Sequence, residues 1–176
     1  MEIIKNSFIT IKAFDEIHLD DFITAVRESV DTVGQWMPWC VPEYSLDEAR
    51  FWFKYCQHNI DHKTAYDLGI FISETGQLVG GISINRINRM DMIGNIGYWV
   101  RESRQNQGIA FAAIELIKTF GFQTLELTRL EILIMEENHI SRRLAEKSGA
   151  KFECLARNRL IHNNQPTDAL VYSLIP

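Results

Sequence analysis

The chain has 176 residues, 46% hydrophobic and 23% charged, which suits one domain spanning 1–176 with a buried core and excludes a disordered or low-complexity chain. Eighteen Lys and Arg against 23 Asp and Glu leave a net charge of −5, so a broad basic face is missing and nucleic acid is not an expected partner. Three cysteines, Cys40, Cys56 and Cys154, are scattered without a C-x-x-C pair, which fits a reducing compartment and neither a disulfide framework nor a thiolate zinc site.

Residues Met1–Asn6 lack the apolar stretch of a secretory leader, and no run approaches the roughly 20 apolar residues that span a bilayer. A cytoplasmic protein without a membrane partner is the expectation. Weak alternation over Ser7–Lys12 predicts a first strand. Leu19, Phe22, Ile23, Val26, Val30 and Val33 then recur at helical spacing, with Gly34 as the stop. An irregular stretch, Gln35–Pro42, carries two tryptophans and two prolines. Ser45-Leu46-Asp47-Glu48 is a capping box, in which the serine oxygen and the glutamate satisfy backbone N–H groups at a helix start. Behind it Leu46, Ala49, Phe53, Cys56 and Ile60 share one face. His58 and His62 have the spacing of a metal pair, but no third ligand accompanies them and no metal is expected.

The period then falls to two. Tyr66–Ile72, Leu78–Ile84 after a Thr75-Gly76 turn, and Ile93–Val100 predict an antiparallel meander. Helical spacing returns at Ile109, Ala113, Leu116, Ile117 and Phe120. Leu130, Ile132 and Ile134 alternate; Ile140 and Leu144 mark a short helix that Gly149 ends; Phe152–Ala156 and Ala169–Leu174 supply the last strands. The order predicts an α/β (α+β) fold, a mixed, mostly antiparallel sheet of about six or seven strands flanked by about four helices.

The segment richest in chemistry is the strand ending at Val100, the polar stretch Arg101–Gln107 and the helix that follows Gly108. The first amides of a helix have no internal acceptor, and the helix dipole adds partial positive charge there, so such an end suits a phosphate or pyrophosphate. Small residues at Gly108 and Ala110 let a ligand approach the backbone; they also permit tight helix–sheet packing. Neither G-x-x-x-x-G-K-[ST] nor G-x-G-x-x-G is present. The pattern that fits is [QR]-x-x-G-x-[GA], read as Gln105-Asn106-Gln107-Gly108-Ile109-Ala110. Farther on, Asn138 is a natural helix N-cap with Ser141 at the third helical position.

That six-residue pattern resembles the cofactor motif of the GNAT superfamily of acyl-CoA-dependent N-acetyltransferases. Gly97-Tyr98-Trp99, Asn138-His139-Ile140-Ser141, Ala145–Ala150, the Trp36-Met37-Pro38-Trp39 loop and Asp168–Leu174 resemble its RimJ/RimL branch, typified by enzymes that acetylate N-termini of ribosomal proteins. The resemblance implies acetyl-CoA as cosubstrate and an amine acceptor, foremost a protein N-terminus such as that of a ribosomal protein. A small amine, or a non-catalytic coenzyme A module, are the alternatives. It implies that the backbone amides of Gln105, Asn106, Gln107, Gly108, Ile109 and Ala110 cradle the pyrophosphate and that Val100 meets the pantetheine arm and acetyl carbonyl. Asn138 would contact the pantetheine, and Ser141 would be the catalytic donor at the sulfur. Arg101, Arg104, Arg142, Arg143, Lys147 and Lys151 are the candidates for the 3′-phosphate. Trp36, Trp39 and Phe51 are candidates to line the acceptor groove, or else to seal the first helices onto the sheet. Tyr98 and Trp99 alternate, so one faces the core and the other approaches the site. A homodimer, through the last strands or the tryptophan loop, is a further implication.

The chain departs from the family at the base. Many relatives carry a glutamate where this chain has Asn95, and part of the RimL branch uses another between the last two strands, where Arg157–His162 has no carboxylate. Asp91, Glu102, Glu136, Glu137 and His139 remain as candidates. An α-amine of pKa about 7.8 is easier to neutralise than a lysine near 10.4 by about 3.5 kcal/mol, so a site without an evident base favours an N-terminal amine. No cysteine sits in a nucleophile setting, which predicts direct transfer.

Overall fold

The structure, a computed structural model, describes residues 4–176; Met1 to Ile3, part of the stretch read as lacking a leader, lie outside the described residues. In chain order the elements are β1 (Ile4–Lys5), β2 (Ile9–Lys12), α1 (Leu19–Glu28), α2 (Leu46–His62), β3 (Tyr66–Ile72), β4 (Leu78–Asn88), β5 (Ile93–Val100), α3 (Ile109–Thr119), β6 (Arg129–Ile134), α4 (His139–Lys147), β7 (Lys151–His162) and β8 (Gln165–Leu174). All eight strands join one sheet in the order β1-β2-β3-β4-β5-β6-β8-β7. Every neighbouring pair is antiparallel except β5 and β6.

Local signals act where the sequence places them. Glu48 N–H donates to Ser45 Oγ at 3.2 Å and Ser45 N–H to Glu48 Oε2 at 2.7 Å, which starts α2. Gly149 takes φ +85°, and Ala150 N–H closes α4 onto Ala145 O. The α1 periodicity breaks earlier than expected: Ser29 bonds back to Ala25 O, and Val30–Gly34 forms a wider π-type turn. The eighth strand, β1, is two residues long and too short to show a period. The last hairpin also reaches beyond the apolar runs. Asn163 and Asn164, at φ +47° and +60°, form the tight turn that needs two positive φ values, and Arg157–His162 becomes strand rather than loop.

The sheet has two differently covered faces. Leu68, Ile70, Ile82, Ile84 and Ile96 pack under α3 through Ile109, Ala113, Ile114 and Ile117. On the other face Phe71 and Leu78 meet Phe22 and Val26 of α1 and Phe53 of α2. The feature that positions the site is the β5/β6 pair, whose ladder has only three steps, Ile93/Arg129, Gly94/Leu130 and Asn95/Glu131. Beyond Asn95 the two strands separate. The end of β5 stays with β4 as far as Gly80/Val100, while β6 follows β8 to Ile134/Leu170. The result is an opening through the middle of the sheet.

Arg101 fixes the β5 side of that opening. It is 4% exposed, with Nη1 on Asp21 at 2.8 Å and on Leu78 O at 3.0 Å, and Nη2 on Glu28 at 2.7 Å. Its backbone N–H donates to Val79 O. Backbone groups alternate along a strand, so the N–H groups of Trp99 and Gly97 also face β4, and those of Val100 and Tyr98 face the opening.

Candidate active site

The loop from Arg101 to Gly108 is braced from within. Ser103 N–H and Oγ donate to Glu28 Oε1 at 3.2 and 2.6 Å, and Gln105 Nε2 donates to Val100 O and Thr32 Oγ1, each at 3.0 Å. Gln105 N–H is itself bonded to Glu102 O at 3.2 Å, so it departs from the expected cradle and serves the loop. Among the described residues, the five N–H groups from Asn106 to Ala110 meet no acceptor, and the next helical bond is Ala112 N–H to Gly108 O. Asn106 at φ +60° and Gly108 at φ +80° give the alternating backbone that gathers successive N–H groups into an anion-binding concavity. No side chain caps α3 and no acidic residue occupies its first turn. A Cβ on Gly108 would project into open space, so the turn is open in front as well. These features fit a pyrophosphate.

Ser141 stands across the opening, on α4. Its N–H donates to Asn138 Oδ1 at 3.1 Å, which is the helix cap, and among the described residues Asn138 Nδ2 donates to nothing. Ser141 Oγ lies 2.7 Å from the hydroxyl of Tyr98. Burial pushes the Tyr98 phenol up to about 12, so it keeps its proton. When Tyr98 donates to Ser141, the Ser141 proton is left for a third group in the opening. Tyr98 thus directs its hydroxyl to the α3/α4 side, although its backbone borders the cavity of the other face.

That cavity, of about 310 Å³, lies between β3–β5 and the α1/α2 layer. Phe14, Phe22, Trp39, Trp52 and Trp99 line it, with Ser83, Asn85 and Gly97 as polar floor. Trp99 lies across Gly81, where a Cβ would come within 2.6 Å of the indole nitrogen. Trp36 does not line the cavity, and Phe51 is 73% exposed on the outer side of α2, so only Trp39 of the three expected aromatics reaches it. A hydrogen-bonded line crosses the floor: Asn95 Nδ2 to Asn85 Oδ1 at 2.9 Å, Asn85 Nδ2 to Ser83 Oγ at 2.9 Å, and Ser83 Oγ to Gly97 O at 3.5 Å. Asn95 Oδ1 is buried without a partner among the described residues. A second, shallower recess of about 400 Å³ shares Trp52, Asp67 and Asn85 with the first, so the two run together.

Asp67 is the carboxylate that lines both spaces. Desolvation raises its pKa, against a lowering hydrogen bond from Asn59. None of the bases named from the sequence, Asp91, Glu102, Glu136, Glu137 or His139, lines either space. A polar residue in an alternating strand reads as solvent-facing, which hides Asp67; the signal for it is an aspartate inside Tyr66–Ile72, since strands disfavour Asp. Two arginines also change standing. Arg101 is consumed by Asp21 and Glu28, and Arg104 donates to Gln77 Oε1 at 2.6 Å. Lys147 sits over the Phe111 ring, 4.8 Å from its centre, which joins α4 to α3 beside the opening. Among the described residues no three His, Cys, Asp or Glu side chains converge as a metal site, and no helix is long and apolar enough to cross a membrane.

The profile of the Acetyltransferase (GNAT) domain matches residues 9–151. The chain belongs to the GNAT acetyltransferases. It is therefore an N-acetyltransferase. A Vibrio cholerae chain provisionally named a ribosomal-protein-serine acetyltransferase superposes with a TM-score of 0.90 at 32% identity, covering 99% of this chain and 98% of that one. The ribosomal-protein-serine acetyltransferase of Escherichia coli (strain K12) is 31% identical over 65% of this chain and 64% of its own. RimL, a ribosomal L7/L12 α-N-protein acetyltransferase solved in complex with coenzyme A, shares the fold at 24% identity, with a TM-score of 0.87 over 99% of this chain and 98% of that one.

Proposed function

We propose that this GNAT enzyme binds acetyl-CoA in the β5/β6 opening and transfers the acetyl group directly to the α-amine of a polypeptide N-terminus. The five unpaired N–H groups from Asn106 to Ala110 carry the reading, because they form an anion cradle at the mouth of a gap between strands. Acetyl-CoA supplies an activated carbonyl and a thiolate leaving group; the rest is done by the chain. Val100 N–H faces the opening and offers a fixed donor to the developing oxyanion. Asn138 Nδ2 is placed for the pantetheine amides and Ser141 for the sulfur. With Arg101 held by Asp21 and Glu28, Arg104, Arg142, Arg143, Lys147 and Lys151 are the basic groups available for the 3′-phosphate.

The cysteines support direct transfer. Cys40 is buried, with its thiol pushed up to about 11, Cys56 is buried and pushed higher, and neither lines the cavity. The groove made by the cavity and its adjoining recess suits an extended chain end, with the first residue in the aromatic part and the next toward Arg86. Relatives named ribosomal-protein-serine acetyltransferases support a ribosomal-protein acceptor. Thiol release from acetyl-CoA with two peptides tests the proposal, one with a free N-terminus and no lysine, the other N-terminally blocked with a single lysine. The free N-terminus is expected to win by about 100-fold or more near pH 7, from the difference in amine basicity. Faster acetylation of the lysine peptide would overturn it.

A further inference from the structure

A carboxylate facing an aromatic cavity is left without a cation. Among the described residues Asp67 has no Lys, Arg or His at ion-pair distance; its polar neighbour is Asn59 of α2, whose Oδ1 accepts from Thr64 Oγ1 at 3.2 Å. Asp67 is half-buried, and a carboxylate partly withdrawn from water without a cation is costly to hold charged. The strand register then says what it faces. Asp67 stands opposite Ser83, and Ser83 opposite Gly97, so the three form one row across β3, β4 and β5. Strands lie about 4.8 Å apart, which puts the Ser83 hydroxyl between the carboxylate and the Gly97 backbone at the rim of the opening. Ser83 Oγ accepts from Asn85 Nδ2, so its own proton must point elsewhere, and its contact with Gly97 O is long at 3.5 Å. Turning the hydroxyl away from Gly97 O would free that proton for the cross-strand neighbour Asp67 and leave an oxygen lone pair for an incoming N–H.

We propose that Asp67 is the proton acceptor for the acceptor amine, reached through the Ser83 hydroxyl, and that its charge draws an ammonium group into the otherwise apolar cavity. This rests on the acetyl-transfer reading above. The ammonium enters with two protons to lose. One passes through Ser83 to Asp67, giving the neutral amine and a neutral carboxylic acid. As the N–C bond forms and the C–S bond breaks, Ser141 gives its hydroxyl proton to the departing sulfur, and the second proton leaving nitrogen restores that hydroxyl, so this proton ends on the thiol. The products are an amide and a thiol, and Asp67 returns its proton to water through the recess. Asp67 acts through Ser83 and is a positioning and proton-accepting residue. The titratable or charged groups around it are Tyr55 and Cys56 on α2, Tyr44 ahead of that helix, Arg86 on β4 and Tyr98 on β5. Burial pushes the Tyr44 and Tyr98 phenols up to about 12 and the Cys56 thiol higher, so these do not compete for the role. Burial also raises Asp67, toward the basicity a general base needs near neutral pH.

The test compares wild type with Asp67→Asn, Asp67→Glu and Ser83→Ala, using thiol release with a free-N-terminus peptide across pH and thermal unfolding of each variant. Asp67→Asn is expected to lower kcat/KM at pH 7 by about 100-fold or more. Its unfolding midpoint should hold or rise, since a half-buried charge without a cation is removed. Its kcat/KM should climb with pH until the peptide amine is itself neutral, near pH 8, whereas wild type levels off earlier. Asp67→Glu should recover part of the rate, and adding Ser83→Ala to Asp67→Asn should cost little more. Asp67→Asn within threefold of wild type overturns the proposal, as does a loss that keeps the wild-type pH profile. If wild type acetylates no amine at all, the acetyl-transfer reading falls first and this inference with it.

Discussion

Ser141 is held in two ways, and each leaves a separate trace in kinetics. Its backbone N–H caps α4 through Asn138, and its hydroxyl lies 2.7 Å from Tyr98. Ser141→Ala keeps the backbone bond and removes only the hydroxyl, so coenzyme A affinity should change less than threefold while kcat falls about 10- to 100-fold, in line with loss of one transition-state donor. Tyr98→Phe leaves Ser141 in place without its partner and should cost less. Calorimetry with coenzyme A and steady-state kinetics check both; equal losses of affinity and kcat in Ser141→Ala would show that the hydroxyl only holds the helix. A buried phenol whose proton does not leave below about pH 12 makes Tyr98 an orienting group, not a base.

At the scale of elements, α1 and the cradle loop are joined by Glu28. Two of its contacts go to the Arg101 guanidinium and two to Ser103, and they hold its carboxyl down at about 2, Arg101 first among the causes. A carboxylate with a depressed folded pKa stabilises above the unfolded value of about 4.3 and loses that contribution as pH falls toward 2. Arg101→Met leaves Asp21 and Glu28 without their shared cation. Arg101 is buried but the two carboxylates left behind are 38% and 27% exposed, so the loss is about 1–3 kcal/mol, and the deficit should shrink between pH 4.5 and 2 as Glu28 protonates. Denaturant unfolding at pH 7 and pH 3 measures it, and a loss under about 1 kcal/mol at pH 7 would contradict the buttress. Coenzyme A affinity should also weaken, because Ser103 and the loop after it lose their anchor. The cradle sequence is thus only half of the cradle; the other half is a helix some 75 positions earlier.

At the scale of the whole molecule, what the sequence makes legible is what short stretches decide. The Ser45–Glu48 cap, the Gly149 stop and the Gln105–Ala110 turn each depend on residues a few positions apart, and each was readable. The sealing of Arg101, the placing of Asp67 and the departure of Gln105 N–H from the cradle depend on register between distant strands and helices, which periodicity cannot report. The opening itself is of this kind, since it arises where β5 keeps to β4 and β6 keeps to β8. One consequence can be measured. The β1–β5 part and the β6–β8 part meet through three ladder steps, with Tyr98–Ser141 and Lys147–Phe111 bridging the gap. A ligand lying in the opening and bonding both Val100 and Asn138 would supply a link there. At 100 times its Kd a ligand that binds only the folded state adds about 2.7 kcal/mol, which is a rise in Tm of roughly 5–10 °C for a chain of this length. Hydrogen exchange with coenzyme A should then slow most at residues 96–110 and 130–142, the two walls of the opening, and little in the β7/β8 hairpin. Protection spread evenly over the sheet, or confined to one wall, would mean that the ligand does not bridge the gap.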